Sequence, residues 1–211
     1  MLEEKIKEYE KIFTKEKTGN YTLLQGLGKI MVSAPHSVEQ TRCGVLKVAE
    51  PQTGVLAILL HETTGCPVIY KTGNCNDDAN YDTVSPYRQA LTDYCKKADI
   101  KLLLDLHQLS PLRAEEIDLG TGKGKNLSSK ALLDFIKRTF QENGLKNIEV
   151  DKLFSATYPY TVSAELSRTC SMQALQIEIN SRLVYGEESL QTFKRVFNAL
   201  QQIIQQGQSF L

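Results

Sequence analysis

Hydrophobic positions along this chain fall into short apolar runs separated by amphipathic stretches. From Lys5 to Phe13, Ile6, Tyr9, Ile12 and Phe13 recur at helical spacing, and Gly19-Asn20 supplies a stop, so residues 1–20 are expected to form a capping helix. Lys29 to Ala34 (KIMVSA) predicts a strand that halts at Pro35, where the chain must turn. Thr53 can N-cap a helix reaching about Thr63, Gly65 breaks it, and Pro67 to Tyr70 reads as a buried strand. Gly73 to Asp82 is too rich in Asn, Asp and Gly for a regular element, and a helix is predicted from Pro86 to Lys97. Ile100 to Leu106 is the most apolar strand and lacks clean alternation, as expected of a strand with helices on both faces. A Gly-rich segment follows from Asp118 to Gly124, then a helix from Ser128 to Asn143 and a strand near Ile148. The last strand is Leu175 to Ile179 and the last helix Ser189 to Gln206. Alternating strands and helices predict an α/β sheet, with no internal repeat.

Composition narrows the function classes. The length of 211 residues suits a single domain, 1–211, whose core needs no disulfide or metal to hold together. Twenty-five basic residues balance twenty-five acidic ones, which argues against a nucleic-acid partner. The apolar run around Val55 to Leu60 is far too short for a membrane span, and the charged N-terminus does not read as a signal peptide. Five cysteines form no C-x-x-C pair, which fits free thiols in a reducing compartment, so a cytoplasmic location is expected.

With only three histidines, each can be weighed singly. His36 follows the KIMVSAP strand and stands three residues before Glu39, a spacing at which a neutral nitrogen and an anionic oxygen can address one zinc ion. His107 ends the most apolar strand, and ligands of open α/β sheets bind beyond the carboxyl ends of strands. Asp105, two residues earlier on the same face, can orient a ligating histidine through its far nitrogen. Glu178 is a charge inside the apolar run LQIEI, and burial beside a metal would tune it as a general base near neutral pH. The plainer readings are a loop histidine, a hydrogen-bonded strand end and a glutamate facing solvent from an edge strand. His61 reads as a packing histidine within its helix, Cys43 lacks a paired cysteine, and Gly120 to Gly124 lacks the spacing of a phosphate loop.

Taken in order, Ser33-Ala34-Pro35-His36-Ser37-Val38-Glu39, Asn80-Tyr81-Asp82, Asp105-Leu106-His107, Asp118-Leu119-Gly120-Thr121 and Leu175 to Asn180 resemble the N-formylglutamate amidohydrolase family, itself related to zinc carboxypeptidases. The resemblance spans about residues 30 to 185. It implies a three-layer fold with a mixed, mostly parallel sheet and helices on both faces. It also implies His36, Glu39 and His107 as zinc ligands and Glu178 as the general base toward the hydrolytic water. One departure stands out: where relatives have Asn-Arg-Asp, this chain has Asn80-Tyr81-Asp82, and tyrosine cannot make arginine's bidentate contact with a carboxylate. Asn80 with Arg168 or Arg182 is then expected to hold the substrate, Arg88 being a third candidate arginine, or else the substrate lacks that carboxylate.

The expected function is a zinc-dependent amidohydrolase acting on a small acylated amino acid such as N-formylglutamate, or on a short peptide. A carboxypeptidase or peptidoglycan-fragment amidase would use the same metal and base. A binding module that has lost turnover is the alternative from another class.

Overall fold

The computed structural model describes residues 2–14, 19–186 and 189–211. Its core is a seven-stranded sheet of β1 (Tyr21–Leu24), β2 (Ile30–Ala34), β5 (Val68–Lys71), β6 (Leu102–Leu109), β7 (Ile117–Gly120), β8 (Ile148–Val150) and β9 (Gln173–Asn180), in the order β1-β5-β2-β6-β9-β7-β8. The central block β5, β2, β6 and β9 is parallel. β1 is antiparallel to β5, and β7 is antiparallel to β9 while parallel to β8. A separate hairpin pairs β3 (Gln40–Arg42) with β4 (Val45–Lys47).

Helices cover both faces. One face packs against α2 (Pro51–Thr64), α4 (Lys130–Glu142) and α6 (Leu190–Gln206), with α1 (Leu2–Phe13) outside α2. Because α2 lies between the sheet, α1 and α6, it is apolar nearly all round, with Val55 to Leu60 buried. A Cβ on Gly54 would come within 2.3 Å of the Phe13 ring, so a glycine there lets α1 dock. The other face packs against α3 (Pro86–Ala98) and α5 (Val162–Cys170). Ser85, Ser129 and Thr161 N-cap α3, α4 and α5 through their side-chain oxygens. Residues 15–18 of the expected capping segment lie outside the described residues.

Several expectations need correction. Helix α2 starts at Pro51, not Thr53: proline suits the first helical position, which leaves Glu50 at the N-cap with a side chain that does not cap. Strand β6 runs through His107 to Leu109 because β9 stays paired with it to Asn180. The Gly-rich segment begins as strand β7, and α5 lies in the stretch before β9 for which no element was predicted. No element had been expected at β1 or at the β3-β4 hairpin.

Candidate metal centre and catalytic cleft

At the carboxyl end of the parallel block, two histidines and one glutamate converge. His36 leaves β2 through a turn pinned by Ser37, whose Oγ donates to the carbonyls of Ala34 (3.0 Å) and Lys71 (2.8 Å). From there the chain makes the β3-β4 hairpin and returns at Glu50, whose backbone N–H donates to the His36 carbonyl at 2.8 Å. The Glu50 carboxylate is thereby delivered to the sheet end. Its Oε1 lies 3.2 Å from His36 Nδ1, and its Oε2 accepts from the Gln108 N–H at 3.0 Å and lies 3.7 Å from His107 Nδ1. The two imidazoles meet edge to face, with 3.2 Å between their Nδ1 atoms.

Each far nitrogen has its own carboxylate. His36 Nε2 lies 3.0 Å from Asp78 Oδ1, and His107 Nε2 lies 3.2 Å from Asp105 Oδ2. An ionised carboxylate only accepts, so each Nε2 directs a hydrogen at its own carboxylate, and each imidazole, when neutral, turns its Nδ1 lone pair into the shared space. The two Nδ1 atoms and a Glu50 carboxylate oxygen thus face one another within 4.8 Å, an arrangement that a proton or a metal cation can bridge. Two imidazoles and one carboxylate are a donor set that zinc accepts, and the pairing of Nε2–H with a carboxylate is the usual backing of a ligating histidine. The residues present therefore fit a zinc ion.

Without a metal, the surrounding carboxylates favour the protonated imidazoles. Burial alone would lower the His36 pKa, but the Glu50 charge and the Asp78 and Glu50 hydrogen bonds outweigh it and push the imidazole up to about 10. His107 is raised likewise, against burial, mainly by Asp105. Asp78, although buried, is held far below the usual carboxylate range by His36 and then by Arg42.

Glu178 is 5% exposed and stands beside His107, its register partner across β6 and β9. Burial raises its carboxyl to about 7 against the opposing pull of His107, and the Gln176 amide donates to its Oε1 at 2.9 Å. His36, Glu50, Asn80, His107, Gln176 and Glu178 all line one cleft of about 540 Å³. Its far wall runs from Leu153 to Tyr158, a segment positioned by Asp118, whose carboxylate accepts the N–H groups of Lys152, Leu153 and Phe154. Gly120 allows this wall to press close, since a Cβ there would come within 2.5 Å of the Phe154 carbonyl oxygen.

The structure thus brings together His36, His107, Glu178, Asn80 and Asp105, but not Glu39. Glu39 is exposed and does not join the two histidines; Glu50 takes its place because the hairpin between residues 36 and 50 folds the later glutamate back onto His36. The expected arginines are also elsewhere. Arg168 is exposed on α5 and does not line the cleft. Arg182 donates to the carbonyls of Arg113 (2.6 Å) and Ala114 (3.0 Å) beside a neighbouring recess. Arg88 is 1% exposed and is consumed by Glu165 and by the carbonyls of Ala79 and Asp82. The arginine that does line the cleft is Arg42, which sequence reasoning passed over in the polar stretch after His36. The available signal for Glu50 was the pair Glu50-Pro51 opening a helix.

No family model matches the sequence, and no curated protein matches it. Solved structures do resemble the fold. A bacteriophage poly-γ-glutamate hydrolase superposes with a TM-score of 0.55 at 16% identity, covering 88% of this chain and 90% of that one. Succinylglutamate desuccinylase from Chromobacterium violaceum gives 0.57 at 14%, covering 90% and 68%. A metallo-carboxypeptidase from Burkholderia cenocepacia gives 0.54 at 13%, covering 94% of this chain but 60% of its own length. These likenesses show a zinc-carboxypeptidase-like fold with a mixed, mostly parallel sheet flanked by helices.

Proposed function

We propose that the chain is a zinc-dependent amidohydrolase that cleaves the amide bond of an N-acyl amino acid such as N-formylglutamate. The observation that carries this reading is the convergence of His36 Nδ1, His107 Nδ1 and the Glu50 carboxylate beside a buried glutamate in one cleft. His36, Glu50 and His107 would hold the ion, with Asp78 and Asp105 fixing the imidazoles through Nε2. When bound, zinc supplies Lewis acidity toward an attacking water and an amide carbonyl. Glu178, raised to about 7 by burial, is poised to take a proton from water when ionised and to return it to the departing amine. Asn80 is held at the cleft by accepting the Val162 N–H at 2.7 Å, with its amide nitrogen available to a substrate carbonyl. The resemblance to N-formylglutamate amidohydrolases rests on the motifs alone, and the poly-γ-glutamate hydrolase of the same fold adds γ-glutamyl amides to the substrates worth testing.

The test begins with elemental mass spectrometry of the purified protein and of His107→Ala. About one zinc per chain is expected in the wild type, lost in a folded His107→Ala. A screen of N-formylglutamate, N-acyl amino acids, γ-glutamyl amides and short peptides should then reveal hydrolysis. Glu178→Gln should reduce that rate roughly 10²- to 10⁴-fold while zinc is retained. Unchanged turnover in Glu178→Gln would remove the base, and activity on peptides alone would replace N-acyl amino acids with a carboxypeptidase substrate.

A further inference from the structure

The β3-β4 hairpin carries a second group into the cleft besides Glu50. Arg42 donates from Nε to Asp78 Oδ2 at 2.8 Å, and its guanidinium carbon lies 4.8 Å from the centroid of the Tyr81 ring. Tyr81 is in turn stacked on Tyr158, with centroids 5.2 Å apart and 18° between the planes. An ion pair along one edge and an aromatic face beneath fix the plane of the guanidinium, so little side-chain freedom is left to lose on binding. Its two terminal nitrogens engage no protein acceptor among the described residues. They form a fixed fork of N–H donors at the rim of the cleft that holds Glu178.

A planar group with two oxygens matches such a fork. Asp78 already shares the charge of Arg42, and Lys47 is the one further lysine or arginine lining the cleft, so the balance suits a singly charged carboxylate better than a phosphate. We propose that Arg42 is the specificity-determining residue of this cleft, binding a carboxylate of the substrate through its terminal N–H groups. The word substrate rests on the hydrolase reading above; the carboxylate binding does not.

The experiment reads binding only. Zinc-loaded wild type, Arg42→Gln and Arg42→Lys are titrated calorimetrically with N-acetylglutamate and with its uncharged diamide, after thermal melts and zinc content have shown each variant to be folded and loaded. The wild type should prefer the diacid by roughly 10- to 100-fold. Arg42→Gln should abolish that preference by weakening the diacid while leaving the diamide unchanged. Arg42→Lys should keep only part of it, because an ammonium lacks the planar fork. Diacid binding by Arg42→Gln as tight as the wild type's would place the carboxylate elsewhere and overturn the proposal, as would a wild type that does not discriminate. Failure of every substrate to be hydrolysed would overturn the hydrolase reading and leave this difference in affinity standing.

Discussion

Strands β6 and β9 lie side by side, yet their two faces follow different rules. Toward α2, α4 and α6 they present Leu102, Leu104, Leu106, Leu175, Ile177 and Ile179, apolar from end to end. Toward α3 and α5 the same strands begin with Leu103 and Ala174 and then change to Asp105, His107, Gln176 and Glu178, all equally buried. One face is sealed by helices along its whole length. On the other, the polar half is matched by partners that this end of the sheet brings together, Asp105 with His107, Gln176 with Glu178, and Glu50 with both histidines, while Asp105 Oδ1 and Gln176 Oε1 have no partner among the described residues. Dispersion and exclusion of water hold the first; the second depends on groups that must be matched in charge and geometry.

That contrast can be broken at either end. The largest effect on folding is expected at the apolar end of the mixed face, where Leu103→Ala removes a fully buried side chain and should cost about 2–5 kcal/mol in urea unfolding while zinc affinity in the folded protein is kept. A substitution two residues along reverses the pattern. Asp105→Asn removes the charge behind His107 and should weaken zinc binding roughly 10- to 100-fold in competition with a chelator, with a smaller change in the melting temperature. The subtlest difference lies in pH. His36 is raised from 6.5 to about 10, so its proton stabilises the metal-free fold fully below about 6.5, and that stability is lost as the pH climbs through about 10. Thermal melts with a chelator present should fall across this window, and melts of zinc-loaded protein should fall less because the ion replaces the proton.

The same contrast explains how much could be read from the sequence. In LLLDLHQL, three leucines give way to polar Asp105 and His107 on either side of Leu106, and QALQIEIN alternates from Leu175 onward. Asp105, His107 and Glu178 were legible because a charge in an otherwise buried strand is conspicuous. The parallel core and the five helices α1 to α4 and α6 were legible for a related reason: their apolar runs and spacing are local. Glu50 was not, since it reaches His36 only after a hairpin that carries no strong pattern of its own, with Val45, Leu46 and Lys47 all exposed. The H-x-x-E spacing offered a nearer carboxylate, and only the backbone bond from Glu50 to His36 decides between them. Arg42 was hidden likewise, because its neighbours Asp78 and Tyr81 lie thirty-six and thirty-nine residues further on (78 − 42 and 81 − 42). Strand β7 was masked by its glycine, and α5 by having few buried positions, Val162, Ser163 and Leu166.

Sheet order also bears on how the molecule is made. Strand β9 is the last strand in the chain among the described residues, yet it sits between β6 and β7 in the interior of the sheet. During synthesis, β1 to β8 therefore emerge before the strand that must slot between two of them, and the exposed edges of β6 and β7 have to be kept from pairing with each other or with another chain until it arrives. Such distant pairing favours slow folding, and a ribosome stalled before residue 173 would carry a nascent chain with two open strand edges and no Glu178.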